Sequence, residues 1–179
     1  FNSLDYVPKL DQILVSCRNC SCILGLNPEN GDILWIIQDP IGLAPVDVSK
    51  NLTVINPEQF RFTSGQHTAY VTTNPAFEAY NTPTRIAISV YNNNSCMNEN
   101  RENVERIMET PPMGTIPYPF SSEAFVYGID LEATTVELLY TIEFSGHRSE
   151  GEGSGFEING HYCCLVAWGL RFFLFAADG

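Results

Sequence analysis

Thr135-Val136-Glu137-Leu138-Leu139-Tyr140-Thr141-Ile142-Glu143-Phe144 is the stretch whose reading decides the fold. Large apolar side chains recur at every second position: Val136, Leu138, Tyr140, Ile142 and Phe144. A strand points successive residues to opposite faces, so these five predict one core-facing row. Glu137, Leu139, Thr141 and Glu143 then form the half-exposed row.

Similar runs extend in both directions. Ile13–Ser16, Cys22–Leu26, Asp32–Gln38, Leu52–Ile55, Gln59–Thr63, Thr68–Thr72, Arg85–Tyr91, Phe125–Leu131 and Tyr162–Phe175 are rich in Val, Ile, Thr, Tyr and Phe. Pro, Gly, Asn and Asp bound them, as they bound strands. Asn30-Gly31-Asp32 reads as a primed hairpin turn before Ile33. One helical stretch stands out. Asn98–Met108 places Val104, Ile107 and Met108 at i, i+3, i+4, with acids at its start and Pro111-Pro112 as its stop. Gly146–Gly155 has the composition of a linker, so 145–160 is expected to be a flexible loop. These elements predict a single all-β domain over 1–179: an antiparallel β-sandwich or jelly roll of about 8–10 strands with one short helix.

Charge narrows the function. Nine Lys and Arg face 21 Asp and Glu, a net charge of −12. Phosphate binding needs clustered basic residues, so this acidic segment is not expected to touch nucleic acid directly. The longest apolar stretch, Tyr162–Ala177, is shorter than the roughly 20 residues of a membrane helix and contains Arg171. A buried strand pair is expected there, and no membrane span. Phe1–Gln12 has neither the basic start nor the apolar run of a signal peptide.

Six cysteines, Cys17, Cys20, Cys22, Cys96, Cys163 and Cys164, admit disulfides in an oxidising compartment. Cys17-x-x-Cys20-x-Cys22 is also the opening of a metal site. A closed zinc site would need a second close pair, and the adjacent Cys163-Cys164 is poor geometry for joint chelation. Buried free thiols are the default expectation, and no metal is assigned. Asn19, Asn51 and Asn93 begin glycosylation triplets, which chance also supplies in a chain rich in Asn, Ser and Thr.

No catalytic residue or cofactor is assigned. His67 follows a turn and reads as a surface residue, and His147 lies in the expected loop. His161 precedes Cys163 by two, a spacing that strand alternation alone explains. A Cys–His or carboxylate hydrolase is the enzymatic alternative. Glu150 and Glu152 in the loop are poorly held for acid–base work. Asp130, Glu132 and Asp178 are candidates for a cation shared across a subunit contact. Trp35 and Trp168 read as core or interface anchors.

From Gly65 to Phe144 the order is strand, Pro75 loop, strand, acidic helix, Pro111–Pro117 loop, strand, and then the 135–144 strand quoted first. This order resembles the later half of the jelly-roll shell of small positive-strand RNA virus capsid proteins. The last strand is similar to the closing strand of that shell, and Asn30–Trp35 with Asp39-Pro40 to an early one. Two features depart from the family: no basic N-terminal arm is present, and Gly160–Gly179 continues beyond the closing strand. The resemblance implies a structural protein, not an enzyme. It would assemble with itself or related subunits into a virion. The alternative is a secreted, disulfide-containing and glycosylated β-sandwich binding module, located extracellularly.

Overall fold

The computed structural model describes residues 1–39, 48–94, 121–144, 153–158, 161–166 and 171–176, with backbone alone from 156 onward. The expected all-β architecture is what forms. Strands β1 (Ser3–Val7), β2 (Gln12–Cys17), β3 (Cys22–Leu26) and β4 (Ile33–Gln38) make a four-stranded sheet in chain order. Strands β5 (Thr53–Val54), β6 (Ala69–Val71), β7 (Arg85–Asn92), β8 (Glu123–Asp130) and β9 (Thr135–Glu143) make a second, ordered β5-β9-β8-β7-β6. Strands β10 (Gly153–Ile158), β11 (His161–Val166) and β12 (Arg171–Ala176) make a third. Every pairing is antiparallel except β5 with β9.

The first two sheets pack face to face. Val7, Leu14, Ile23, Trp35 and Ile37 from one meet Ile86, Ile88, Val90, Phe125, Tyr127, Ile129 and Val136 from the other. Burying each such side chain contributes about 1.5–3 kcal/mol, so this shared layer holds the sheets together. Phe60 stacks on Tyr127 with ring centroids 5.1 Å apart. At Gly25 the Trp35 indole lies where a side chain would stand, so only glycine fits opposite it.

One corner is stitched by side chains. Ser3 Oγ accepts from the Ala69 amide at 2.9 Å, and Asp5 Oδ2 accepts from the Val71 amide at 3.1 Å. These β1 side chains occupy the outer edge of β6. The outward residues of β1, Leu4 and Tyr6, are exposed.

The deciding strand departs from its predicted alternation. Tyr127 pairs with Leu138 and Val126 with Tyr140, which leaves Leu139 as an inserted residue. The bulge reverses the alternation. Val136 and Leu138 face the shared core, whereas Leu139, Tyr140, Ile142 and Phe144 pack on the other face with Tyr91 and Val126. The five apolar residues thus serve two hydrophobic layers. Phe77 and Tyr80, from the 3₁₀ segment Pro75–Tyr80, cover the outer layer. Gly153 of β10 lies against the Tyr91 ring, at the same layer.

Other expectations need correction. Asn30-Gly31 does not make a two-residue primed turn. Gly31 has φ +75°, but the loop runs from Asn27 to Asp32, closed by the Asn27 amide on the Asp32 carbonyl at 2.9 Å. The Asn27 and Asn30 side chains accept from the amides of Glu29 and Asp32, which holds the longer loop. Gln59–Thr63 forms no strand. Ser3–Val7 does, and β10 falls inside the expected 145–160 loop. Tyr162–Phe175 divides into antiparallel β11 and β12. The expected helix at Asn98–Met108 lies outside the described residues.

Candidate functional site

Polar and thiol side chains gather at one end of the sandwich, around the segment Arg61–His67. The β2–β3 hairpin supplies the first group. Cys17 and Cys22 stand directly opposite each other, and the 3₁₀ turn Arg18–Cys20 brings Cys20 beside them. All three sulfurs lie within 4.8 Å of one another. Ser21 adopts the left-handed conformation (φ 46°) that turns the chain back. Four contacts hold the turn. Ser21 Oγ accepts from the Gly65 amide at 3.0 Å, and Thr63 Oγ1 donates to the Ser21 carbonyl at 3.3 Å. Gln66 Nε2 donates to the carbonyls of both Cys17 (3.1 Å) and Cys22 (2.7 Å). Burial pushes the Cys22 thiol far up, and the neighbouring thiols add to this. The Cys20 thiol is also raised, chiefly by burial.

The second group is a buried amide network. Asn92 Oδ1 accepts from the Ser64 amide (2.8 Å), and Asn92 Nδ2 donates to Asn94 Oδ1 (2.6 Å). Asn94 Nδ2 reaches the Ser121 carbonyl (2.7 Å) and Glu123 Oε2 (2.8 Å). Asn93 Nδ2 donates to the Gly65 carbonyl at 2.7 Å. Arg61 Nη1 bridges Glu123 (2.6 Å) and Glu143 (2.9 Å). Burial alone would lower the Arg61 guanidinium, but the two carboxylates outweigh it and raise it. Arg61 is therefore committed to carboxylates rather than offered to an anion. His67 is half-buried beside this network, and its amide donates to the Tyr91 carbonyl at 2.9 Å.

Sequence-derived candidates fall in different places. Cys17, Cys20 and Cys22 are free thiols brought together by one hairpin. Cys96 lies outside the described residues, and Cys163 and Cys164 are placed only as backbone of β11. Asn19 is exposed on the 3₁₀ turn, and Asn51 is half-buried in a bridge to Ile36. Asn93 is fully buried, so a glycan there would have to displace its bond to Gly65. Asp130 is engaged by Arg85 at 2.7 Å and by the Glu132 and Ala133 amides. Trp35 is a core anchor with Nε1 on Gln12 Oε1 at 2.8 Å. His147, Glu150, Glu152, Trp168 and Asp178 lie outside the described residues. His161 and Cys163 are both in β11, two residues apart.

The role of Gln66 and of the Asn92–Asn94 run was not read from the sequence. Both act through contacts about 30 to 50 positions away in the chain, as with Gln66 and Cys17, 49 positions apart. Three consecutive asparagines ending an apolar strand are the one local signal for such a network.

Residues 1–150 match the family described as Arylsulfotransferase (ASST). No curated protein matches the chain. The matched residues include both packed sheets and the whole polar end. This finding overturns the capsid resemblance, and with it the non-enzymatic structural role, the viral shell and the virion location. It gives no support to the secreted binding module either. The resemblance rested on an alternating strand pattern, and alternation records burial in any antiparallel sandwich rather than descent. The bulge at Leu139 removes even the single-faced row on which it relied. Among the described residues no helix is long and apolar enough to cross a membrane.

Proposed function

The chain belongs to the arylsulfotransferase (ASST) family, and from that premise we propose that it acts in sulfuryl transfer from an aryl sulfate to a phenolic acceptor. The reaction breaks the S–O bond of the donor ester and forms an S–O bond to the acceptor. The acceptor hydroxyl loses a proton and the departing phenolate gains one. The observation that carries this reading is the family match over residues 1–150.

Among the described residues of the polar end, His67 is the one histidine. His67 carries an imidazole, whose ring nitrogens can take up and release a proton, so it suits the proton transfer at the acceptor. The amide network behind it gives the segment a fixed backbone. The test is incubation of the full chain with 4-nitrophenyl sulfate and a phenol, following nitrophenol release and the mass of the sulfated acceptor. Acceptor-dependent release that falls at least about 100-fold in His67→Asn supports both the reaction and the role. Release absent at all acceptor concentrations overturns the reaction. Release unchanged in the variant overturns the role of His67 alone.

We also infer self-association, supported by the exposed Phe1, Leu4 and Tyr6 around β1. Light scattering of the wild type against a Leu4→Ser, Tyr6→Ser variant tests it. A monomer in both cases overturns it.

A further inference from the structure

We propose that Cys17, Cys20 and Cys22 form a three-thiolate zinc site with an exchangeable fourth position. The three sulfurs already lie within 4.8 Å of one another. Tetrahedral zinc with bonds of about 2.3 Å places its sulfurs about 3.8 Å apart. Closing the set therefore takes about 1 Å at most, which rotation about cysteine χ1 supplies without moving the backbone.

The backbone that presents them is built to stay in place. Cys17 and Cys22 face each other across the hairpin, and Cys20 rises from the turn between them. Gln66, fully buried, ties the carbonyls of Cys17 and Cys22 to one side-chain amide. Gly65 and Thr63 fix Ser21 at its left-handed bend. A ligand set supported this way loses little order on binding, which is the condition for a tight metal site.

The number of thiols also matters. A disulfide uses two and leaves the third without a role. Three protein ligands and one open position are the pattern of a zinc ion that keeps a bound water. Among the described residues no His, Asp or Glu joins the three sulfurs. Cys22 is buried while Cys17 and Cys20 are half-buried, so one side of the cluster meets solvent and water fills the fourth position. Binding replaces the thiol protons with the cation, so protons are released as zinc enters. The site stands apart from the sulfuryl-transfer reading and needs no turnover to detect.

The test uses the reduced full chain under anaerobic conditions, titrated with Zn²⁺ against a chromophoric chelator. One zinc per chain is expected, with the affinity falling more than about 100-fold in each of Cys17→Ser, Cys20→Ser and Cys22→Ser, since changes even one shell further out cost about 10–100-fold. Co²⁺ in place of zinc should give a thiolate-to-metal charge-transfer band that weakens with each cysteine removed. If Cys22→Ser fails to fold, the half-buried Cys17 and Cys20 variants carry the test. Binding no tighter than in the triple variant overturns the proposal. So does full affinity in any folded single variant.

Discussion

Asp5 Oδ2 accepts the amide hydrogen of Val71 at 3.1 Å, so a side chain of one sheet takes the place of a missing strand beside the other. An open sheet edge leaves backbone donors unpaired, and such edges recruit foreign strands. Ser3 does the same for Ala69 one pair further along. The corner between β1 and β6 is closed by two side chains rather than by a ladder.

Replacing Asp5 with Ala should therefore cost about 1.5–3 kcal/mol, the range for a hydrogen bond to a charged acceptor. Urea unfolding measures this as a lower midpoint at unchanged slope. Asp5→Asn keeps an acceptor and should recover most of the loss. Equal losses in both variants would count against the edge-capping role.

Deleting Leu139 should be far more damaging than shortening it. Leu139→Ala trims one half-buried contact, about 1–2 kcal/mol. The deletion removes the inserted residue and turns Tyr140, Ile142 and Phe144 toward the wrong face. Calorimetry should show a cooperative transition for Leu139→Ala and none for the deletion. A cooperative deletion variant would mean that the strand tolerates the slip.

Arg61→Ala should destabilise the polar end by about 1–3 kcal/mol. It removes a partner 2.6 Å from Glu123, whose side chain is 3% exposed. Losing one member of a buried ion pair costs about 3–5 kcal/mol, and the 34% exposure of Arg61 tempers this. Amide exchange should quicken at Asn92 and Asn94 but not in β2. Uniform quickening would point to global unfolding instead.

Asp130 should contribute to acid sensitivity. Its carboxyl is held below the ordinary value, first by the Ala133 amide and then by Arg85 and the Glu132 amide, which together outweigh the opposing effect of desolvation. A depressed folded-state pKa gives stability that is fully present above the unfolded value near 3.8 and lost as pH falls through the lower folded value. Melting temperature followed downward from pH 6 should drop less steeply in Asp130→Asn than in the wild type. Parallel curves would remove Asp130 from the account.

Much of this was legible along the chain. Val136 to Phe144, Arg85 to Tyr91 and Cys22 to Leu26 read as strands because they are short apolar runs rich in β-branched, leucine and aromatic residues. β1 gives no such signal, because Leu4 and Tyr6 face outward while Ser3 and Asp5 face another strand. The pattern there is inverted. The family did not emerge from strand patterns, since sandwiches of unrelated proteins share them. The match over residues 1–150 identified it instead.

By itself the sequence determined an acidic, all-β chain with a large apolar core, because composition and period act locally and need no partner. Tertiary structure alone decided where those periods break and what they bring together. The bulge at Leu139 depends on what β8 presents opposite it. The thiol cluster depends on a buried glutamine 44 positions after Cys22. Both are set by the pairing of distant segments, and a local pattern carries no record of which segment lies across from it.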